Sequence, residues 1–327
     1  MEVNKIYHDD WMNNQLSDKS VQLIIADPPY FEVKGSFDFV WKSFDDYLKD
    51  VEKWAIECKR LLADNGTLFW YGHAKKIAYA QIIFDKYFNL ENSIVWEKNE
   101  CQTKRGVEHL RCFAPVSERC LMYSNESEST NLENALYAES VKVFAPIIEY
   151  MKEQKKMIKE YFKMKTDNEF NEYINKQTNT KSIVSRHYFS YSQWAFPTAE
   201  IYAKLQTIND EVFKKEYEVF KKEYEALRRP FNNFKKLFDI MSFGQEAHIT
   251  KNYEHDTCKP ETLTRTLILT CSRANDLVFI PFAGSGTEVA MAIKEGRNAI
   301  GFDVEIKYVE MGNKRADIIK SQPSLFF

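Results

Sequence analysis

Hydrophobic positions along the chain follow two periods. Val21-Gln22-Leu23-Ile24-Ile25-Ala26 is a short, almost continuous apolar run, which predicts a parallel strand buried on both faces. Phe44, Tyr47, Leu48, Val51, Trp54, Ala55, Cys58 and Leu61 recur at helical spacing and predict a helix over 44–62, ended by Asn65-Gly66. A second amphipathic helix is expected over 75–88. Strands are expected near 67–71, 93–97 and 119–123, with a polar loop from Lys98 to Glu118. From Ser124 the character changes. Residues 125–131 are polar and mark a boundary, and residues 131–250 read as an inserted, mainly helical region. Strand signals return only after His255: Leu277–Ile280, then a helix from Glu288 to Glu295 closed by Gly296, then a strand at Ala299–Asp303.

The pattern therefore predicts an α/β core in two sequence segments, 1–124 and 251–327, around an insert at 125–250. The insert contains a seven-residue repeat, Phe213-Lys214-Lys215-Glu216-Tyr217-Glu218-Val219 followed by Phe220-Lys221-Lys222-Glu223-Tyr224-Glu225-Ala226. Phe and Tyr four apart make one apolar stripe. Two readings stay open: an arm that meets DNA or a partner helix, and a helix packed on its own domain. Two units are too few for a coiled coil.

Chemistry enters at two places. Asp27-Pro28-Pro29-Tyr30 follows the first strand, at the C-terminal edge where open α/β sheets bind ligands. The prolines fix the backbone and remove two donors. What is left is a rigid corner of acceptors beside a flat ring, suited to a planar base with an exocyclic amine. Far along the chain, Pro281-Phe282-Ala283-Gly284-Ser285-Gly286-Thr287 is a glycine-rich turn between a strand and a helix. Its glycines allow close backbone approach, and the helix start offers free N–H groups. Asp303 ends the next strand, at the distance from the glycines where a strand-end acid grips ribose hydroxyls. The third glycine of the dinucleotide fingerprint and the basic tail of a P-loop are both missing, which argues against NAD and ATP.

Composition changes this picture little. The 327 residues suffice for one large core and an insert, and 44% are hydrophobic. The net charge of −3 means that nucleic-acid binding would need local basic surface. Six cysteines without Cys-x-x-Cys pairs, and no secretory signal, point to reduced thiols and a cytoplasmic protein. No apolar stretch approaches membrane-spanning length.

Together the two motifs resemble the amino-methyltransferases of DNA, in the permuted (β-type) order with Asp-Pro-Pro-Tyr first and the glycine-rich turn last. The likeness covers about residues 5–123 and 250–318. It includes Asp10, the strand Thr67–Tyr71 with Gly72-His73, Ile94–Lys98, and His255–Pro260. It implies a Rossmann-like, doubly wound sheet, S-adenosylmethionine as cofactor, double-stranded DNA as substrate and no metal. A homodimer and a cognate restriction enzyme are further partners of such enzymes. The insert would recognise the target. An acid in first position of Asp-Pro-Pro-Tyr is typical of adenine N6 enzymes, with cytosine N4 as the alternative. An RNA methyltransferase and a non-catalytic DNA-binding module are more distant readings.

By this resemblance Asp27, Pro28, Pro29 and Tyr30 are catalytic. The cofactor would meet Asp10, Asp27, Lys259, Phe282, Ala283, Gly284, Ser285, Gly286, Thr287 and Asp303, with Lys259 on its carboxylate. DNA would meet Lys104, Arg105 and Arg111 in the polar loop, Arg186, His187, Gln193 and Trp194 in the insert, and the basic pair Arg228 and Arg229. One departure is visible: the family usually carries an acid directly before the Pro-Phe of the turn, where this chain has Ile280. The cofactor's amino group is then either weakly held or served by another acid.

Overall fold

The computed structural model describes residues 1–32, 40–98, 111, 113, 115–125, 142–180, 184–191, 194–244 and 258–321. The chain divides into two compact units: Met1–Asn125 with Arg229–Phe327, and Glu126–Arg228.

The first unit is built on a mixed sheet. Its described strands are β1 Lys5–His8, β2 Val21–Ala26, β3 Leu62–Gly72, β4 Asn89–Glu97, β5 Ser117–Ser124, β6 Ile240–Ser242, β7 Leu277–Ile280 and β8 Asn298–Asp303. They lie in the order β1-β8-β7-β2-β3-β5-β4-β6. The first five run parallel, β5 is antiparallel to both neighbours, and β6 is parallel to β4. Helices cover both faces: α1 Phe44–Leu61 and α2 Ile77–Phe84 from the first segment, and α8 Glu261–Cys271, α9 Thr287–Lys294 and α10 Ile306–Ser321 from the last; α3 to α7 belong to the second unit.

This double cover explains the continuous apolar runs. In β2, Ile24 and Ala26 pack with Trp54 and Leu61 of α1, Trp70 and Phe84. The alternate residues Leu23 and Ile25 pack with Leu267 of α8 and Val289 of α9. Successive side chains point to opposite faces, and here each face is core. α1 starts at Ser43, whose side chain accepts from the Asp46 N–H, and carries Asp45 and Asp46 in its first turn and Lys59 and Arg60 in its last. That arrangement caps the helix and matches its dipole.

The register matters most for function. Ile24 of β2 pairs with Phe279 of β7, and Phe279 pairs with Ile300 of β8. Three residues further on, Asp27, Phe282 and Asp303 stand level at one end of the sheet. His8 of β1 pairs with Asp303, so Asp9 and Asp10 join the same row. Residues more than 250 apart in sequence thus meet because β2 and β7 are neighbours.

The C-terminal end of the insert differs from the sequence expectation. Residues 229–244 join the first unit. β6 pairs with β4, the Asn232 N–H donates to the Thr270 carbonyl at 2.8 Å, and the Trp96 indole donates to the Phe243 carbonyl at 2.8 Å. A three-residue edge strand is too short to show a period, so its pairing comes entirely from β4.

The second unit is helical in its described residues: α3 Ala145–Tyr161, α4 Asp167–Thr178, α5 Val184–Phe189, α6 Ala199–Gln206 and α7 Tyr217–Leu227. Thr166 and Glu169 form a reciprocal capping box at the start of α4. The core is aromatic, with Phe170, Phe189, Trp194, Tyr202, Phe213 and Phe220 buried together. The seven-residue repeat is not one helix. Its last ten residues, from Tyr217, lie in α7, while Phe213 adopts a left-handed backbone with φ of 50°. Phe213 and Phe220 are both buried, so the stripe packs on its own unit. No described helix is long and apolar enough to cross a membrane.

Candidate active site

The row of strand ends opens into a cleft of about 800 Å³ within the first unit. Its wall includes Asp10, Asp27, Pro28, Pro29, Tyr30, Lys259, Phe282, Ala283, Gly284, Ser285 and Asp303. These come from four strand ends and the approach to α8, so the candidates for both roles share one cavity.

Asp27 sits at the head of a charged chain. One carboxylate oxygen accepts from the Tyr30 hydroxyl and the other from the Lys259 ammonium. Lys259 also lies 3.4 Å from Glu118, and Glu118 in turn pairs with Lys98. Lys259 is 4% exposed. Burial disfavours its charge, but Asp27 and Glu118 outweigh that and hold its pKa above the ordinary lysine range. Burial pushes the Glu118 carboxyl up, yet Lys259 and Lys98 pull it below its ordinary value. Burial, reinforced by Asp27 and Glu118, raises the Tyr30 phenol well above its usual value, so it stays a donor. Lys259 also lies 4.8 Å from the centre of the Tyr71 ring. Lys259, expected from the sequence to meet a cofactor carboxylate, is engaged in this structure by Asp27 and Glu118.

The glycine-rich turn forms the opposite wall. Phe282 packs edge-on against Trp54 at 5.1 Å and Trp11 at 5.9 Å between ring centres. Gly284 has φ of 46°, and its N–H donates to Asp303 at 2.8 Å. The second Asp303 oxygen accepts from the Glu305 N–H at 2.9 Å. Two backbone amides thus aim this carboxylate, whose pKa burial raises. Asp10 caps the short turn after β1 by accepting from the Met12 N–H at 2.9 Å.

Two cofactor candidates from sequence are not in the cleft wall. Gly286, φ 72°, packs against α10: a Cβ there would stand 2.6 Å from the Gly312 Cα. Thr287 is fully buried, and its hydroxyl accepts from Arg315 at 2.8 Å. Both shape the turn from behind.

The DNA candidates separate as well. Lys104, Arg105 and Gln193 lie outside the described residues, as does the side chain of Arg186. Arg111 is exposed and His187 half-buried. Trp194 is not a surface ring: it is buried and stacks on Phe144 at 5.0 Å, because the second unit builds its core from aromatics. Arg229 is withdrawn from the surface as well. It is 13% exposed and pairs with Glu91 at 3.3 Å, whereas its neighbour Arg228 is half exposed beside Glu225.

Sequence reasoning missed Glu118 and Glu288. Glu118, at the start of β5, looked like an ordinary acid at a loop end. Glu288, in the first turn of α9, stood in the sequence only as the start of the expected helix. It is 6% exposed and lines the cleft. It also missed the lysines of α3 (Lys152, Lys155, Lys156 and Lys159), which with Lys163 line a surface cavity of about 590 Å³. Their signal was present as Lys at three- and four-residue spacing, but four of them pair with acids.

A mixed α/β sheet with acids, prolines and a glycine-rich turn converging at one end defines a nucleoside-binding enzyme of the methyltransferase class. The chain belongs to the DNA methylase family, whose pattern matches residues 21–314. It is 24% identical over 324 residues to the DNA adenine methyltransferase YhdJ of Escherichia coli (strain K12), covering 97% of this chain and 84% of that protein. It is 24% identical over 327 residues to the Type II methyltransferase M1.MboII of Moraxella bovis, covering 96% of each. Its fold is similar to that of TTHA0409 from Thermus thermophilus, solved with S-adenosyl-L-methionine (TM-score 0.50, 16% identity, 97% of this chain and 96% of that one). The cytosine-N4-specific PvuII DNA methyltransferase has a similar fold too (TM-score 0.51, 11% identity, 98% of this chain and 87% of that one). Family membership makes S-adenosylmethionine the methyl donor. The cleft fits it: an amide-anchored Asp303 suits a ribose diol, and backbone approach at Gly284 suits a small amino-acid tail.

Proposed function

We propose that this chain methylates the N6 amine of a flipped adenine in duplex DNA. The observation that carries this reading is the Asp27 carboxylate, fixed by Tyr30 and Lys259 in the same cleft as the glycine-rich turn and Asp303. Adenine N6 is a poor nucleophile because its lone pair is delocalised into the ring. When bound, S-adenosylmethionine supplies a methyl group on a sulfonium, which is a good leaving group.

The chain's residues do the rest. Asp27 and the Pro28 carbonyl accept the two N6 hydrogens, turning the nitrogen pyramidal and freeing its lone pair. The two prolines keep these acceptors from swinging away. Tyr30 offers its ring face to the base while its hydroxyl holds Asp27. Lys259 fixes the second Asp27 oxygen, so little reorganisation is left for the transition state. Extruding the base costs a few kcal/mol, repaid by these contacts. Phe282, Ala283, Gly284 and Ser285 hold the cofactor's tail, and Asp303 and Asp10 its adenosine.

Since N4 and N6 amines present the same geometry to such a corner, the similar cytosine-N4-specific fold is neutral between them. The adenine preference rests on the acid at position 27 and on the named adenine relative. Relatives named Type II methyltransferases support a cognate restriction enzyme as partner. The test is mass spectrometry of nucleosides from unmethylated duplex DNA treated with the protein and S-adenosylmethionine. N6-methyladenine is expected; N4-methylcytosine would overturn the base, and methylation of RNA alone would overturn the substrate.

A further inference from the structure

Position 280, directly before the Pro-Phe of the glycine-rich turn, is apolar and faces the core. Ile280 is 1% exposed and packs with Leu263, Leu267 and Val289. It offers nothing to the cleft. Eight residues on, Glu288 lies in the first turn of α9, beside Ser285, with its side chain in the cleft wall.

Its surroundings are unusual for an acid. It is 6% exposed, the most enclosed of the acids lining the cleft. The other deep carboxylates have cations or amides: Asp27 is held by Tyr30 and Lys259, Asp303 by two backbone amides, and Glu118 by Lys98 through one oxygen, while its other oxygen accepts no hydrogen bond but lies 3.4 Å from the Lys259 ammonium. Among the described residues no other side chain hydrogen-bonds to Glu288 or forms an ion pair with it. The charged and titratable groups that face it are Asp27 at the end of β2, Lys259 and Cys258 before α8, Tyr71 on β3 and Arg315 on α10. Both cations among them are held by other acids, Lys259 by Asp27 and Arg315 by Glu261 at 2.5 Å. Burial, with the Asp27 charge, therefore outweighs the hydrogen bond from its own backbone N–H and the charges of Lys259 and Arg315, and the Glu288 carboxyl is pushed up to about 7.

A buried carboxylate with no counter-ion is costly unless a cation arrives or it keeps its proton. The site places it where a cation is due. With the ribose at Asp303 and the target amine at Asp27, the amino-acid tail of the cofactor runs along Ala283–Ser285, and that tail carries an ammonium. We propose that Glu288 receives the α-ammonium of S-adenosylmethionine, in place of the acid that position 280 lacks. This inference rests on the methyltransferase reading above.

Glu288 must then be ionised in the complex. Free protein below the Glu288 value must give up a proton on binding, so affinity falls on the acid side. An α-amino group loses its own proton at about 7.7–8.0, so affinity also falls on the alkaline side. The wild-type binding profile is a bell, and only its acid limb belongs to Glu288.

The test is calorimetric binding of S-adenosylmethionine to the full chain and to Glu288→Gln across neutral pH. Methylthioadenosine, which lacks the amino-acid tail, serves as the control ligand. The variant should bind S-adenosylmethionine roughly 10- to 100-fold more weakly at the wild-type optimum, the scale of a hydrogen bond to a charged group, and should lose the acid limb. Methylthioadenosine should bind both proteins equally. Unchanged affinity and pH profile for S-adenosylmethionine would overturn the proposal while leaving the methyltransferase reading intact. So would equal loss for both ligands, which would mean a distorted cleft. Unchanged binding with lost turnover would move Glu288 to the base instead. Failure of the wild type to bind S-adenosylmethionine at all would overturn both readings.

Discussion

The two units use similar residues to opposite ends. Each has a core rich in aromatics, but among the described residues only the first encloses charge. In the second unit Trp194, Tyr202, Phe213 and Phe220 pack on one another, the Tyr150 and Tyr202 hydroxyls meet at 3.1 Å, and Lys152 and Lys156 sit at the surface with acids three and four residues away. In the first unit Lys259, Glu118, Asp27 and Glu288 are gathered at the end of a sheet, three of them in one chain and the fourth with no side-chain partner among the described residues. Aromatic richness thus marks packing in both, while the charge gathered at the cleft marks the chemistry. Desolvated charge costs stability, so it persists where function requires it.

The largest test of this contrast is Lys259→Met. It removes the cation that Asp27 and Glu118 share and should destabilise the first unit by about 3–5 kcal/mol in denaturant unfolding. A loss near zero would mean that the charged chain is not coupled. Trp194→Ala should cost the second unit about 3–5 kcal/mol, read as lost hydrogen-exchange protection across 145–227 with none lost in β2 and β7. A fully stable variant with weakened DNA binding would instead return Trp194 to the surface.

Glu288→Gln sharpens the comparison through pH. The Glu288 value in the folded protein lies above its unfolded value, so wild type is favoured below about pH 4.5 and loses that contribution as pH rises to about 7. Relative to the variant, wild type should lose up to about 3 kcal/mol across that window, measured by unfolding at several pH values. A difference independent of pH would contradict the burial argument. The smallest effects separate two adjacent arginines. Arg229→Ala should cost about 1.5–3 kcal/mol by leaving Glu91 without its cation. Arg228→Ala, half exposed, should stay within about 0.5 kcal/mol.

Much of this was legible in the sequence because local pattern and motif agreed. Val21–Ala26 had to be a doubly covered strand, and the acid after it had to lie at a sheet edge. Asp303 was placed by its distance from Gly284. What stayed hidden depends on pairing between distant segments. β6 owes its existence to β4, and nothing in Ile240–Ser242 announces that. Arg228 and Arg229 look alike until Glu91 is brought beside one of them. Trp194 carried the signature of a stacking ring, and only the neighbouring Phe144 and Tyr224 show it to be core. Glu288 read as a helix-start acid, since its burial comes from α8, α10 and β2 together.

The central claim is that Asp27 holds the target amine in a cleft whose cofactor wall is separate from it. Single-turnover methyl transfer by Asp27→Asn, at saturating S-adenosylmethionine and DNA, tests it most directly. The rate should fall roughly 10²- to 10³-fold while cofactor affinity changes little. A rate within a few-fold of wild type would contradict the account.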